Sequence, residues 1–195
     1  MENNTSLEVI RIDSTEDVAT HFTESDGFFR FTDKDYTGTV EITKNGAIAL
    51  GKNWDGLFER TKVSRVIANE TSGVTSMAGM FERSKATTLD LSNFDTSNVT
   101  NMNGMFSYSG INTLDLSNFD TSNVTDMSYM FDSSSATSLD LSNFDTSNVT
   151  DMSYIFYNSS VRSLDLSSFD TSNVKDMEGM FDSSSATSLD LSNFD

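Results

Sequence analysis

The stretch LDLSNFDTSNV begins at Leu89, Leu114 and Leu139, returns as LDLSSFDTSNV at Leu164, and starts again at Leu189. Each complete copy continues into a variant of TDMSYMFDSSSATS, so the whole phrase repeats every 25 residues. A period of about 20 to 50 residues is typical of solenoids, because one unit cannot bury its apolar face alone and must stack on copies of itself. The sequence therefore predicts a stacked array, and such arrays generally present binding surfaces.

The copy that starts at Leu114 shows what one coil contains. Leu114, Asp115 and Leu116 alternate apolar and polar, which predicts a short strand with the leucines inward and the aspartate outward. Spacings of three, three and one then indicate one face of a short helix, formed by Val124, Met127, Met130 and Phe131. We therefore expect a leucine-rich-repeat-like solenoid in which each 25-residue coil has one short parallel β-strand and one short helix.

Stacked coils place equivalent side chains above one another, about 4.8 Å apart. The resulting apolar ladders are expected to form the core. They comprise the leucines Leu91, Leu116, Leu141, Leu166 and Leu191, the phenylalanines Phe94, Phe119, Phe144, Phe169 and Phe194, and the methionines Met102, Met127, Met152 and Met177.

The chain divides into three parts by how regular the repeat is. Residues 1–38 do not repeat and are expected to form an α+β N-terminal cap, residues 39–88 form degenerate first coils, and residues 89–195 hold the regular repeats. The last copy breaks off at Asp195, so we expect a piece truncated at its C-terminus. Two readings of residues 40–46 stay open: a strand of an earlier coil, with Trp54 in the methionine slot, or a hairpin turning at Asn45-Gly46.

Three elements are expected within the cap. Leu7, Val9 and Ile12 could form a strand, and Phe28 to Phe31 a second one. Residues 14–22 have the pattern of a helix that begins at Ser14, with Asp17 in the third position of a capping box.

Charge limits the choice of partners. The chain has 195 residues and a net charge of −18; residues 1–88 carry 10 basic and 14 acidic side chains, whereas residues 89–195 carry 2 and 16. A field of this sign disfavours nucleic acids and anionic membranes and favours basic proteins or cations. The sequence has no cysteine, no signal-peptide pattern at its start and no apolar run long enough to span a membrane, so no direct membrane insertion is expected.

The outward aspartates of the strands are the sharpest candidate site. Neighbours about 5 Å apart repel by about 0.8 kcal/mol in water and about 3 kcal/mol at an effective dielectric of 20. Three interpretations stay open: a strip that binds a basic protein, a calcium site, or a solvated face that keeps the sheet soluble. The residues concerned, called the strand-face row below, are Asp90, Asp115, Asp140, Asp165 and Asp190.

A second set of aspartates lies in the corner that follows each strand, where turn capping explains them: Asp95, Asp120, Asp145 and Asp170. Four tyrosines near the expected helices could contact a partner or pack half-buried: Tyr108, Tyr129, Tyr154 and Tyr157.

Catalysis has little support in the sequence. His21 is the only histidine and lies in the cap, and no nucleophile-elbow, Walker or HExxH string is present. Near-identical copies also argue against an active site, which needs one asymmetric set of groups. We expect no enzyme activity, no cofactor and no dedicated metal.

The phrase LDLSNFDTSNVTDMSYMF, from Leu114 to Phe131, resembles the BspA-like leucine-rich repeats, in particular the 25–26-residue bacterial surface-protein repeat of the DUF285 family. The resemblance covers residues 50–195 approximately. An ordinary leucine-rich repeat has an internal asparagine where this chain has Phe119, so that ladder is expected to be replaced or moved to Asn98, Asn123, Asn148 and Asn173.

The resemblance implies an extracellular or cell-surface location, and some similar proteins are adhesins for host matrix proteins. The resulting hypothesis is a recognition or adhesion module that binds a host or partner protein through its acidic repeat face. The alternative is a structural stalk that presents another domain.

Overall fold

The computed structural model describes residues 9–194, which form a β-solenoid of about seven turns. The predicted solenoid is therefore confirmed. Its strands are β1 (Val9–Ile12), β2 (Phe22–Ser25), β3 (Phe28–Phe31), β4 (Thr39–Ile42), β5 (Arg65–Ala68), β6 (Thr88–Leu89), β7 (Thr113–Leu114), β8 (Ser163–Asp165) and β9 (Ser188–Asp190), and its helices are α1 (Thr15–His21) and α2 (Lys44–Leu50).

Equivalent strands of successive coils pair in parallel. β1, β4 and β5 form one sheet, with Val40 opposite Val66. In the pairs β6–β7 and β8–β9, each residue lies opposite the residue of the same type in the next coil, for example Leu89 opposite Leu114. A second column of parallel bridges runs through the turn segment of each coil and joins Asn101 to Asp126 and Asp126 to Asp151. The turn-segment column joins every coil from Asn53 to Asp176, whereas the strand column is interrupted at the coil that begins at Leu139, which forms no strand. The prediction of one strand in each coil is therefore wrong for that coil.

The core consists of the predicted ladders. Leu116, Phe119 and Met127 are all buried, as are their equivalents in the preceding and following coils, whereas Met177 and Leu191, near the C-terminal end of the stack, are exposed. An additional ladder stacks phenylalanine rings face to face at centroid distances of 5.7–5.9 Å: Phe58, Phe81, Phe106, Phe131, Phe156 and Phe181.

The helix predicted in each coil is wrong. Within the described residues the helices are α1 and α2 alone, and the segment that follows Met127 is a run of turns. The amide of Tyr129 donates to Ser153 of the next coil at 2.9 Å, and Tyr129 and Ser133 have left-handed φ values of 58° and 51°. Two such residues four apart prevent a right-handed helix. The inward side chains of the turns nevertheless recur at three-residue spacing, which explains why the pattern looked helical.

The internal polar ladder is made of threonine. Thr121 is buried, its Oγ1 donates to the carbonyl of Asp145 at 2.9 Å, and the Asp145 amide donates back to it at 2.8 Å. Thr96 and Thr146 make the same pair of bonds with Asp120 and Asp170. The asparagine row lies on the surface instead, where Asn123 donates to the Ser97 carbonyl at 2.7 Å.

The N-terminal elements follow the predicted order. Ser14 caps α1, and the Asp17 carboxylate accepts from the Asp13 amide and the Ser14 hydroxyl, while β2 and β3 form an antiparallel hairpin. Leu7 lies outside the described residues. The hairpin considered at Asn45-Gly46 is wrong, since both residues belong to α2, and a Cβ at Gly46 would clash with the carbonyl of Ile12.

These elements cover the first coil, in which Trp54 occupies the methionine slot and donates its amide to Ser76. Three backbone carbonyls of this coil accept hydrogen bonds from the β2–β3 hairpin and from the loop that follows it. The Phe31 amide bonds Leu57 at 2.8 Å, Arg30 Nη1 bonds Asp55 at 2.5 Å and Lys34 Nζ bonds Glu59 at 2.9 Å. The domain boundaries at residues 38 and 88 stay a prediction.

Candidate binding surface

Each aspartate of the strand-face row closes a tight turn. The Asp115 carboxylate accepts the amide of Ser117, two residues on, at 3.0 Å, and Asp140 and Asp165 accept from Ser142 and Ser167 at 3.1 and 3.0 Å. This side-chain mimic of a backbone turn is an Asx turn. Asp90 and Asp190 do the same with Ser92 and Ser192. Each member of the row is thus held in position by its own turn.

The hydrogen bonds also fix the charge of the row. Donation from the Ser142 hydroxyl and amide lowers the pKa of Asp140, and Ser117 lowers the pKa of Asp115 in the same way. Neighbouring carboxylates raise the pKa of Asp115, but less than the hydrogen bonds lower it. These side chains are exposed and therefore ionised at neutral pH.

The same turn recurs at two further corners of each coil. Asp120 accepts the Ser122 amide at 3.0 Å, and Asp126 accepts the Ser128 amide at 2.9 Å. The middle residue of each turn, for example Thr121, points into the core. Turn capping thus accounts for the geometry of Asp120 and its equivalents, and the D-x-S triplet was the signal in the sequence that marked all three corners.

One corner shows that the turn does not need a charge. Asn101 is the equivalent of Asp126, and its neutral side-chain oxygen accepts the Asn103 amide at 2.9 Å, the same distance as in the Asp126 turn. Asn53 accepts the Asp55 amide at 2.8 Å. An amide oxygen therefore closes this turn with the same geometry as a carboxylate.

Most of the row has no basic neighbour. Arg65 Nε lies 2.8 Å from Asp90 at the N-terminal end, but across residues 9–194 no ion pair reaches Asp115, Asp140 or Asp165. The exposed carboxylates there form an uncompensated negative strip.

The calcium alternative has no preformed coordination set in the described part of the chain. Across that part, no three acidic or histidine side chains lie close enough together to hold a metal ion. Calcium takes six to eight oxygen ligands, and each carboxylate of the strand-face row is already engaged in its own turn.

The four tyrosines lie on the turn segments, and three of them form a cluster. The rings of Tyr129 and Tyr154 stack at a centroid distance of 4.9 Å, and Tyr157 meets Tyr154 edge-on at 5.6 Å. The Tyr154 hydroxyl donates to Glu178 at 2.5 Å, which raises the pKa of Tyr154 to about 12. Tyr108 stands apart, with the Arg83 guanidinium 5.3 Å from its ring.

The geometry defines a class of protein: a β-solenoid repeat module that displays rows of fixed carboxylates. The sequence profile of the family described as "Mycoplasma protein of unknown function, DUF285" matches residues 52–159 and again 108–195. The chain belongs to this family, as the resemblance indicated. No curated protein and no solved structure matches it significantly. Residues 9–194 contain no helix that is long and apolar enough to cross a lipid bilayer.

Proposed function

We propose that this protein is a cell-surface recognition module that binds a basic patch of a partner protein, such as a host matrix protein, through the strand-face row. The row is exposed, ionised and fixed by hydrogen bonds, and its members repeat at the spacing of the coils. Fixed charges of one sign attract a partner of the other sign and set its register. The surface location is supported by the resemblance to bacterial surface-protein repeats.

One observation carries the proposal. Asparagine closes a turn of the same type at Asn101, at a different corner of the coil, so a turn of this type does not require a charge. The charge of the strand-face row is not needed to close a turn of this type, yet every regular coil carries it, and a partner of opposite charge would account for that.

Replacing Asp115, Asp140 and Asp165 together by asparagine tests this. The change removes three charges and keeps each turn acceptor. Binding to immobilised extracellular-matrix proteins or to a lysine-rich peptide is expected to weaken about tenfold, because three exposed ion pairs are each worth up to about 1 kcal/mol. Binding of the unchanged protein is expected to weaken with added salt.

The matched control replaces Asp120, Asp145 and Asp170 by asparagine. This variant has the same net charge and the same type of turn at the next corner, and its binding is expected to stay within about twofold of the unchanged protein. Equal losses in both variants would show that net charge alone drives binding. No loss in either variant would favour the stalk, whose surface makes no specific contact.

A further inference from the structure

The tyrosine stack, formed by Tyr129 and Tyr154, occupies a backbone position where other coils have glycine. The equivalent residues are Gly56, Gly79, Gly104 and Gly179, and all six have φ between 56° and 59°. This left-handed conformation is easy for glycine and strained for a bulky side chain. Two adjacent coils therefore have a tyrosine at a position whose backbone conformation favours glycine.

On the Tyr154 side, the stack packs against the next coil. The Tyr154 ring covers Gly179 so closely that a Cβ there would lie 2.4 Å from its Cε1, and the Tyr154 hydroxyl is bonded to Glu178. The Tyr129 ring lies nearly parallel to that of Tyr154, with an angle of 12° between them. The two rings thus form a flat platform.

The other side of the stack is open. A third ring in the same column would come from residue 104, which is glycine, and a Cβ there would meet nothing nearer than the Ser107 Cβ at 3.8 Å. Tyr129 is 39% exposed. The ring face of Tyr129 that points away from Tyr154 therefore borders a vacant, flat slot.

The surroundings of the platform are negative. Burial first, and then the carboxylates Glu178, Asp132, Asp151 and Asp176, raise the pKa of Tyr129. A flat aromatic face in a negative field favours a planar cation, because the ring quadrupole and the carboxylates attract the same charge. The chain shows this pairing itself, with the Arg83 guanidinium 5.3 Å from the ring of Tyr108.

We propose that the tyrosine stack is a binding site for the guanidinium group of an arginine side chain on a protein partner, which stacks on Tyr129 in the slot beside Gly104. The site is separate from the strand-face row and goes beyond the function proposed above, since it recognises one residue type through a ring face.

Titration with N-acetyl-arginine methylamide, followed by NMR of the tyrosine ring signals, tests the site. The Tyr129 and Tyr154 signals are expected to shift with a dissociation constant in the millimolar range, whereas the signals of Tyr108, whose ring already has the Arg83 guanidinium beside it, are expected to shift less. N-acetyl-citrulline methylamide, the neutral analogue of the same shape, is the control ligand and is expected to shift the two rings at least threefold more weakly.

Two variants at Tyr129 distinguish the loss of the aromatic ring from a loss of folding. Tyr129→Gly puts into this coil the residue that Gly104 and Gly179 provide in others, so the protein is expected to fold while its affinity for the arginine probe falls at least threefold. Tyr129→Phe retains the ring face and is expected to keep the affinity within twofold. Binding that survives Tyr129→Gly, equal binding of the citrulline probe, or no shift of either ring would each overturn the proposal. Asparagine variants of the strand-face row are expected to leave the shifts of the tyrosine signals unchanged.

Discussion

At the scale of single residues, threonine rather than asparagine satisfies the main chain inside the coils. Thr121 both donates to and accepts from the backbone of Asp145 in the next coil. A buried hydroxyl with one donor and two acceptor sites can make both bonds at once.

Thr121→Val tests this role. Valine has the same shape but leaves the Asp145 amide and carbonyl without these partners, and a buried unsatisfied group costs about 1–3 kcal/mol. The free energy of unfolding, measured with urea, is expected to fall by that amount.

The control for this prediction is Thr125→Val. Thr125 is exposed and its hydroxyl donates to the Thr100 carbonyl at 3.1 Å, so water can replace the lost bond and the change is expected to stay within about 0.5 kcal/mol. Similar losses in the two variants would contradict a buried threonine ladder.

At the scale of elements, local patterns of side chains correctly predict which residues face the core and where a helix begins. The alternation of Leu114, Asp115 and Leu116 correctly indicates which side chains face the core, and Ser14 with Asp17 correctly marks the start of α1. Both signals are local, because one depends on the pleat of a strand and the other on four consecutive residues.

Backbone features that side-chain spacing does not encode were missed. Met127 and Met130 recur at helical spacing, yet the amides between coils point along the solenoid axis rather than along a helix. The recurrent glycines at positions 79, 104 and 179 carried the missing information, since a glycine at one fixed place indicates a left-handed residue. Tyr129 and Tyr154 concealed that signal in two coils.

For a related reason, the sequence predicts the positions of the candidate site residues but not the geometry that holds them. The sequence places Asp115 and its equivalents in one row, but the Asx turns that hold them depend on the backbone between them and Ser117. The stacking of Tyr129 on Tyr154 requires the 25-residue register of the coils, and the slot beside it is visible only once Gly104 is placed in the same column.

At the scale of the whole molecule, the repeated Asx turns link stability to pH. Hydrogen bonds from serine lower the pKa of Asp115, Asp120, Asp140, Asp165 and Asp170 below the ordinary value of 3.8. A lowered pKa in the folded state contributes stability above the unfolded value, and that stability is lost as the pH falls through the folded value.

We therefore expect the urea midpoint to be level between pH 7 and about pH 5 and to fall below about pH 4, the window set by these pKa shifts. The measurement belongs in about 0.5 M NaCl, which screens the repulsion among the carboxylates. The variant with asparagine at positions 115, 140 and 165 is expected to lose less stability in acid. A midpoint that rises steadily as the pH falls would show that charge repulsion, and not the turns, dominates.

The account depends on coils that stack in register through main-chain hydrogen bonds from one turn segment to the next. The most direct measurement is the NMR scalar coupling across individual hydrogen bonds. A coupling is expected from the amide nitrogen of Tyr129 to the carbonyl carbon of Ser153, whose oxygen lies 2.9 Å away. A coupling from the amide of Met130 to the carbonyl of Asp126, the bond of an α-helix, would contradict the account.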